Sequence, residues 1–446
     1  MSCIHKSRYL FVCFLTVNSL MLHQVLYAQT SHSTVKSLVT PQSFPQSILP
    51  PEEIEVQAKG AVLMDSLTGD ILLTYHAHLQ IPPASFAKLL TLYVIFDALK
   101  HHKIRLTDAV HVSKKAWQTG GSKMFIKVDT KVPVAELIKG IAVVSGNDAC
   151  VAMAEYLYGD VETFTRVMNR YAQHLGMKDS FFVNPHGLPA VEQLTTSYDM
   201  ALLARHYVTQ FPDALRYHQM QTYTYNGIEQ HNRNGLLKRD DTVDGLKTGW
   251  VEASGYNLVV TAKRQNHRLI AVVMGALTPA IRERETLKIL SYGYQNFTLL
   301  TLFEAGQVFA ELQVWKGKQN ILPVVATQTT SMLIPREYMD QVHQVKVLPD
   351  SIVAPVKKNQ VLGKYLITIG IDQIRSIPLL ASVGIEKAGI AKALLHQVYM
   401  NGLTPTRRVF VIAGSMLSLC AVAVLFAVGQ KRRRHKKSRM YIRLPR

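Results

Sequence analysis

Pro82-Pro83-Ala84-Ser85-Phe86-Ala87-Lys88-Leu89-Leu90-Thr91-Leu92-Tyr93-Val94-Ile95-Phe96 is the stretch on which the reading of this chain turns. Two prolines halt what precedes it. Apolar residues then recur at Phe86, Leu89, Leu90, Leu92, Tyr93 and Phe96, the spacing of a buried helix over Ser85 to Ala98. Ser85 falls at the start of that helix and Lys88 three positions on, so the two side chains share a face. A serine hydroxyl is a poor nucleophile until a neighbouring base takes its proton. A lysine can be that base only if burial or a nearby cation lowers its pKa. The helix N-terminus also favours negative charge developing near Ser85. The pair carries little alone, since Ser33 and Lys36 repeat the spacing in a polar stretch that can build no pocket.

Outward from this helix the chain alternates between strand and helix patterns. Gly60 to Met64 and Ile71 to Tyr75 are β-prone runs around the turn cluster Asp65 to Asp70, which predicts a hairpin. Val134 to Val144 and Ala149 to Tyr158 read as helices broken by Ser145-Gly146-Asn147, and Val161 to Leu175 as another. A hydroxyl and an amide on such a turn can relay a proton and hold a substrate amide. The competing reading is a helix C-cap followed by an N-cap. Asn257 to Lys263 and Arg268 to Leu277 form a second hairpin, and Arg282 to Phe297 a closing helix. Just before that hairpin, Lys247-Thr248-Gly249-Trp250 is placed on an edge strand beside the pocket. There a peptide can pair by main-chain hydrogen bonds, Lys247 can supply a second cation beside Lys88, Thr248 can bind a carboxylate, and Gly249 admits close backbone approach. A surface turn with a solvated lysine is the plainer alternative. From Glu304 to about Leu379 short β-runs (Ile321 to Val325, Ser331 to Ile334, Gln344 to Leu348, Val361 to Ile369) predict a small all-β domain.

The ends of the chain are different in kind. Lys6 and Arg8 precede an apolar run from Tyr9 to Leu22 that closes at Leu26-Tyr27-Ala28, the layout of a secretory signal peptide with cleavage after Ala28; an uncleaved anchor helix is the alternative, against which Asn18, His23 and Gln24 interrupt the run. Val409 to Val428 is uncharged for twenty residues, enough at about 1.5 Å per residue to cross roughly 30 Å of hydrocarbon. Nine Lys and Arg residues follow between Lys431 and Arg446 with no acid among them. That end accounts for much of the net charge of +19, so the charge points to a cytoplasmic flank of a membrane span and not to a nucleic-acid surface. Of four cysteines, Cys3 and Cys13 leave with the signal peptide and Cys420 sits in the apolar span. Cys150 is left alone as a buried small residue, with no disulfide available. His101, His102, His174 and His186 lack metal-ligand spacing, and no Gly-rich phosphate loop is present, so neither metal nor cofactor is expected.

Taken in order, Ser-x-x-Lys at Ser85, Ser-Gly-Asn at Ser145 and Lys-Thr-Gly at Lys247 match the motif set of class A β-lactamases and penicillin-binding proteins. Pro83-Ala84-Ser85, Gly120-Gly121-Ser122-Lys123-Met124-Phe125, Ser145-Gly146-Asn147-Asp148-Ala149-Cys150, Asn184-Pro185-His186-Gly187-Leu188, Asp244-Gly245-Leu246-Lys247-Thr248-Gly249 and Gly255-Tyr256-Asn257-Leu258 narrow it further. Over about Glu53 to Phe297 the chain resembles the low-molecular-mass D-alanyl-D-alanine carboxypeptidases, serine peptidases of type S11. The β region resembles, more loosely, the second domain of that family's carboxypeptidase branch.

The resemblance implies an α+β fold: an antiparallel sheet flanked by helices plus a helical subdomain, like that of penicillin-binding proteins and β-lactamases, followed by a small all-β domain and a C-terminal transmembrane helix. The expected layout is a signal peptide over 1–28, a leader over 29–51, a peptidase domain over 52–300, a β domain over 304–383, a connector helix over 384–406, a membrane span over 409–428 and a basic tail over 431–446. The resemblance further implies that Ser85 attacks the bond between two terminal D-alanines of a peptidoglycan stem, with Lys88 as its base and Ser145 as proton shuttle. Asn147 would contact the substrate amide, and Lys247 and Thr248 with Arg282 the terminal carboxylate, while the N–H groups of Ser85 and Trp250 form the oxyanion hole beside Gly249. β-Lactams would acylate Ser85, and the body would lie on the exported, periplasmic or extracellular, face of the cell membrane. Phe86-Ala87 stands where two threonines are common, Gln193 where histidine is frequent, and Trp250 where a smaller or imidazole side chain is usual. The family often ends in an amphipathic surface helix, unlike the span expected here. A β-lactamase would need a Glu-x-x-Leu-Asn segment between Ser145 and Lys247, and none is convincing. A D,D-endopeptidase usually lacks the trailing domain, and a non-catalytic wall-binding scaffold would have lost a motif residue.

Overall fold

The computed structural model describes residues 54–326, 329–369, 372–393, 396, 413–414, 417–418 and 420–430. The expected signal peptide, leader and basic tail lie outside these residues. So do much of the connector and parts of the 409–428 span; residues 420–430 are helical. Among the described residues no helix is long and apolar enough to cross a membrane.

The centre of the body is a five-stranded antiparallel sheet in the spatial order Ile71–Tyr75, Gly60–Asp65, His267–Ala276, Gly255–Arg264, Val243–Val251. The first and last pieces of the peptidase region therefore pair with each other. The polar turn of the first hairpin is held by Asp65, whose Oδ1 accepts from the Thr68 N–H (2.6 Å) and the Thr68 hydroxyl (2.9 Å). Strand alternation splits the apolar residues between two cores. Val62, Met64, Val259, Ile270 and Val272 join the helical side. Ala61, Leu63, Val260, Leu269 and Ala271 face the helix Pro279–Asn296. Both faces are covered, so these strands read as continuous apolar runs with little alternation.

On the helical side lie Ala87–Lys100, Val134–Ala142, Asn147–Tyr158, Val161–His174 and Ser197–Gln210. The first of these is almost wholly buried from Ala87 to Phe96, including Lys88 and Thr91. Two polar side chains inside a core need partners. The loop at 185–187 supplies them: Thr91 Oγ1 donates to the Pro185 carbonyl (2.7 Å), and Lys88 Nζ donates to the carbonyl of His186. The helix Ser197–Gln210 was not anticipated from the sequence. Its signal was present in the cap, where the Thr196 hydroxyl accepts from the Asp199 N–H (3.1 Å).

The closing helix ends at Asn296 and a strand, Phe297–Phe303, begins at once, pairing with Thr330–Pro335. The β region thus starts at 297 and not at the expected 304. A six-stranded sheet follows in the order Val342–Val347, Val361–Ile369, Asp372–Ala381, Ile321–Val325, Val308–Trp315, Ser351–Val353, around its own apolar core.

Candidate functional site

Ser85 sits in a 3-10 turn, Ala84–Phe86, that feeds directly into the helix Ala87–Lys100. The turn is tight: Ala84 has φ +50°, left-handed for a residue with a Cβ. Such backbone persists only where its surroundings dictate it. Here Gly187 presses on it from behind, so closely that a Cβ at 187 would fall 1.6 Å from the Ala84 carbonyl oxygen. The result places the Lys88 Nζ 3.0 Å from Ser85 Oγ, while the Ser145 hydroxyl donates to the same oxygen at 3.0 Å.

Ser145 is also left-handed (φ +62°), at the joint between Val134–Ala142 and Asn147–Tyr158. The joint is fixed by Asp148, a buried residue that the sequence reading had not singled out for any role. Its carboxylate accepts from the main-chain N–H groups of Met124 (3.0 Å), Phe125 (3.0 Å) and Ile126 (3.3 Å). Asn147 donates from Nδ2 to the Gly120 carbonyl (2.7 Å), so the 120–126 segment and the Ser145 turn hold each other.

The third wall is the edge strand Val243–Val251, paired on one side only, with Lys247 opposite Val259 and Gly249 opposite Asn257. Gly249 lets it approach Ser85: a Cβ there would lie 3.3 Å from the Ala84 Cβ and the Ser85 nitrogen. In a strand, main-chain groups of alternate residues face the same edge. The Leu246 carbonyl bonds His218 Nδ1 (2.9 Å), and the Thr248 carbonyl accepts from Lys247 Nζ (3.1 Å). Trp250 is next in that series. His218, also missed from the sequence, is buried against Tyr207, whose hydroxyl lies 2.9 Å from Nε2. Burial pushes its pKa down to about 4, so at neutral pH the ring is uncharged. Neutral, it donates from one nitrogen to Leu246 and accepts from Tyr207 at the other.

Electrostatics follow from burial. Lys88, fully enclosed, is pushed down to about 8, by burial first, with Arg233 adding and Cys150 and Asp148 opposing. Lys247 is held well below the ordinary lysine range, again mainly by burial, then by repulsion from Lys88, Arg233 and Arg282. The expectation that Lys247 supplies the cation beside Lys88 is thus modified. Desolvation does most of the work on Lys88 and Arg233 is the neighbouring cation. Arg233 carried no signal in the sequence; it donates to the Ser122 hydroxyl (2.8 Å). Arg282, near the start of Pro279–Asn296, is buried and donates to the Arg233 carbonyl (3.4 Å) and Glu283 (3.1 Å). Thr248 is buried, whereas the indole of Trp250 stands half out of the strand beside Tyr256, ring centres 5.9 Å apart. Cys150 is a neutral thiol, its pKa raised to about 12 by burial. No metal-binding group of side chains occurs among the described residues. The arrangement is a hydroxyl with a buried lysine amine on one side, a second hydroxyl on the other, and a slot lined by basic side chains beside a free strand edge.

A site of this shape belongs to the serine acyl-transfer enzymes that act on peptide ends. Residues 46–278 match the D-alanyl-D-alanine carboxypeptidase family, peptidase S11, and residues 297–387 match the C-terminal domain of penicillin-binding protein 5. The chain is 38% identical to the D-alanyl-D-alanine carboxypeptidase DacC of Escherichia coli over 76% of its length and 86% of the relative's. It is likewise 38% identical to DacA of Haemophilus influenzae, over 77% and 88%. The structure of penicillin-binding protein 5 from H. influenzae superimposes with a TM-score of 0.69 at 37% identity, covering 76% of this chain and all of that one. The chain belongs to the D-alanyl-D-alanine carboxypeptidase family. It is a serine-type carboxypeptidase; the E. coli D-alanyl-D-alanine endopeptidase is more distant, at 26% identity over 50% of the chain.

Removing the Asp148 carboxylate strands two buried N–H groups, of Met124 and Ile126, and the part-buried one of Phe125, each buried group worth about 1–3 kcal/mol. Asp148→Ala should therefore lower the stability measured by urea unfolding by roughly 3 kcal/mol or more. Asp148→Asn, which keeps one acceptor oxygen, should lose less. An Asp148→Ala protein as stable as wild type would contradict this role.

Proposed function

We propose that the enzyme removes the terminal D-alanine of a peptidoglycan stem through an acyl-enzyme on Ser85. The single observation that carries this reading is the Ser85 hydroxyl placed 3.0 Å from a lysine amine whose pKa is pushed down to about 8. Neutral Lys88 takes the Ser85 proton as Oγ bonds to the carbonyl carbon of the penultimate D-alanine. The N–H groups of Ser85 and Trp250 hold the oxyanion; losing one such donor typically costs about 10²–10³ in rate. As the C–N bond breaks, the Ser145 hydroxyl passes its proton to the leaving amine and is replenished from the lysine side. Water then releases the acyl group by the same steps in reverse order. Asn147 holds the substrate amide. Lys247, Thr248 and Arg282 take the terminal carboxylate, with Gly249 leaving room for the peptide.

β-Lactams present a strained amide to the same serine. A structural neighbour, penicillin-binding protein D2 of Listeria monocytogenes, 26% identical with a TM-score of 0.51, is known in an ampicillin-bound form. Purified protein should become covalently labelled by a fluorescent penicillin and should release D-alanine from a pentapeptide ending in two D-alanines. Ser85→Ala should abolish both. Labelling that survives the substitution would move the nucleophile elsewhere.

The exported body is anchored by a span over 409–428 with the basic tail in the cytoplasm, a reading supported by the N-terminal signal pattern and the charge step at Lys431. The full chain should then sediment with membranes and resist high-salt extraction, while a chain ending at Leu403 should be released. Salt-extractable full-length protein would argue for surface attachment instead.

A further inference from the structure

Three segments of the β region carry an excess of lysines. The turn after Val308–Trp315 holds Lys316 and Lys318, the turn after Ser351–Val353 holds Lys357 and Lys358, and the segment after Asp372–Ala381 holds Lys387 and Lys392. Main-chain bonds gather them at one end of the fold. The Ile385 N–H donates to the Val356 carbonyl (2.8 Å) and the Val356 N–H to the Ile385 carbonyl (2.9 Å). The Lys318 N–H donates to the Glu386 carbonyl (2.9 Å) and the Ala388 N–H to that of Lys316 (2.8 Å). Lys392 Nζ closes the group by donating to the Lys318 carbonyl (2.8 Å). Lys318, Lys357, Lys358 and Lys387 are exposed, and Lys316 and Lys392 half-buried. Within residues 315–320, 354–360 and 383–393 the only acid is Glu386, which pairs with Lys318. Asp350 precedes Ser351 at the Gln313 end of its strand, away from these turns. Like charges held together repel one another, and an anionic surface relieves that repulsion.

The chain leaves the β region from this same patch. His396 fastens the departing segment: its Nδ1 accepts from the Lys316 N–H (2.7 Å) and its ring meets Trp315 edge-on, centres 5.5 Å apart. Among the lysines stand two apolar side chains, Ile390, 82% exposed, and Val383, 41% exposed. Lysines interleaved with exposed apolar groups suit the boundary between water and a bilayer, where headgroups meet the charge and the upper methylenes meet the rest. Fifteen residues lie between 393 and the apolar run that starts at 409. At no more than about 3.6 Å per residue, they tie the patch within roughly 50 Å of that run. The last two, Arg407 and Arg408, add charge of the same sign.

We infer that this lysine patch seats on the anionic phospholipid headgroups of the leaflet facing the exported body. This rests on the reading of 409–428 as a membrane span. The tether keeps the local concentration of lipid high, so contacts that are weak one by one act together. Each lysine close to an anionic surface contributes roughly a fivefold preference for it. The seat fixes the height and tilt of the β region on the bilayer, which a single tether would leave free to swing.

The test uses the full chain reconstituted in vesicles of phosphatidylcholine alone or with about a third phosphatidylglycerol, treated with a membrane-impermeant amine-acetylating reagent and read lysine by lysine by mass spectrometry. Lys357, Lys358 and Lys387 should react roughly threefold or more slowly in the anionic vesicles, while the exposed Lys103 and Lys178 of the peptidase domain keep their rates. About 0.5 M salt, which shortens the screening length to roughly 4 Å, should remove the difference. The double variant Lys357→Glu, Lys358→Glu should lose the protection at Lys387 and still release D-alanine from a soluble pentapeptide at the wild-type rate, which shows that it is folded. Equal rates for the patch in the two kinds of vesicle, or equal slowing of Lys103 and Lys178, overturns the seat. Slowing by soluble inorganic phosphate in detergent micelles, with none from the anionic lipid, would assign the lysines to a soluble anion and overturn it too. A full chain that fails to sediment with phosphatidylcholine vesicles in high salt would overturn the span and the seat with it, and is a distinct result.

Discussion

Lys88 is a lysine amine buried in the core, and its two hydrogen-bond partners, the Ser85 hydroxyl and the His186 carbonyl, are both neutral. That enclosure is what the remainder of the site is built around. A protonated amine there has lost its hydration, so the proton is held less tightly and the pKa falls to about 8. The consequence for stability has a definite sign. Between about pH 8 and the ordinary lysine value of 10.5 the unfolded chain binds a proton that the folded chain does not. Stability therefore rises with pH across that window. Below it, holding Lys88 charged costs about 3 kcal/mol.

Each neighbouring element can be understood as keeping this amine enclosed yet in reach of the hydroxyl. Gly187 and the left-handed Ala84 set the turn that presents Ser85. Asp148 pins the 124–126 backbone, and with it the Ser145 joint. His218, kept neutral by burial, engages the Leu246 carbonyl of the strand that carries Lys247. Arg233 and Arg282 sit close enough to depress Lys247. Such a slot is costly when empty and well suited to a substrate that brings a carboxylate, so the price of assembly is recovered on binding.

The sequence carried the local part of this well. The Ser85 helix, the first hairpin, the Ser145 joint and the edge-strand placement of Lys247 all follow from periodicity and turn chemistry that act within a few residues. What escaped were groups whose role exists only across long separations. Arg233 reaches Ser122 and depresses Lys88 from 145 residues away, and His218 acts on a carbonyl 28 positions later. Neither has a spacing that could announce it. Asp148 lay inside a recognised motif, yet its function depends on a loop over twenty residues earlier. The β region was legible strand by strand, but its boundary was misplaced. Phe297–Phe303 follows a helix without any turn residue and is defined by its pairing with Thr330–Pro335.

The central claim is a protonation state, so the direct test is to watch it. Lysine labelled with 13C at Cε, with the Lys88 resonance assigned by its loss in Lys88→Arg, can be titrated by NMR from pH 6 to 11. The Lys88 resonance must titrate near 8, well below the ordinary lysine value of 10.5, and respond when penicillin acylates Ser85. A Lys88 that titrates at the ordinary lysine value of 10.5 would leave Ser85 without its base and contradict this mechanism.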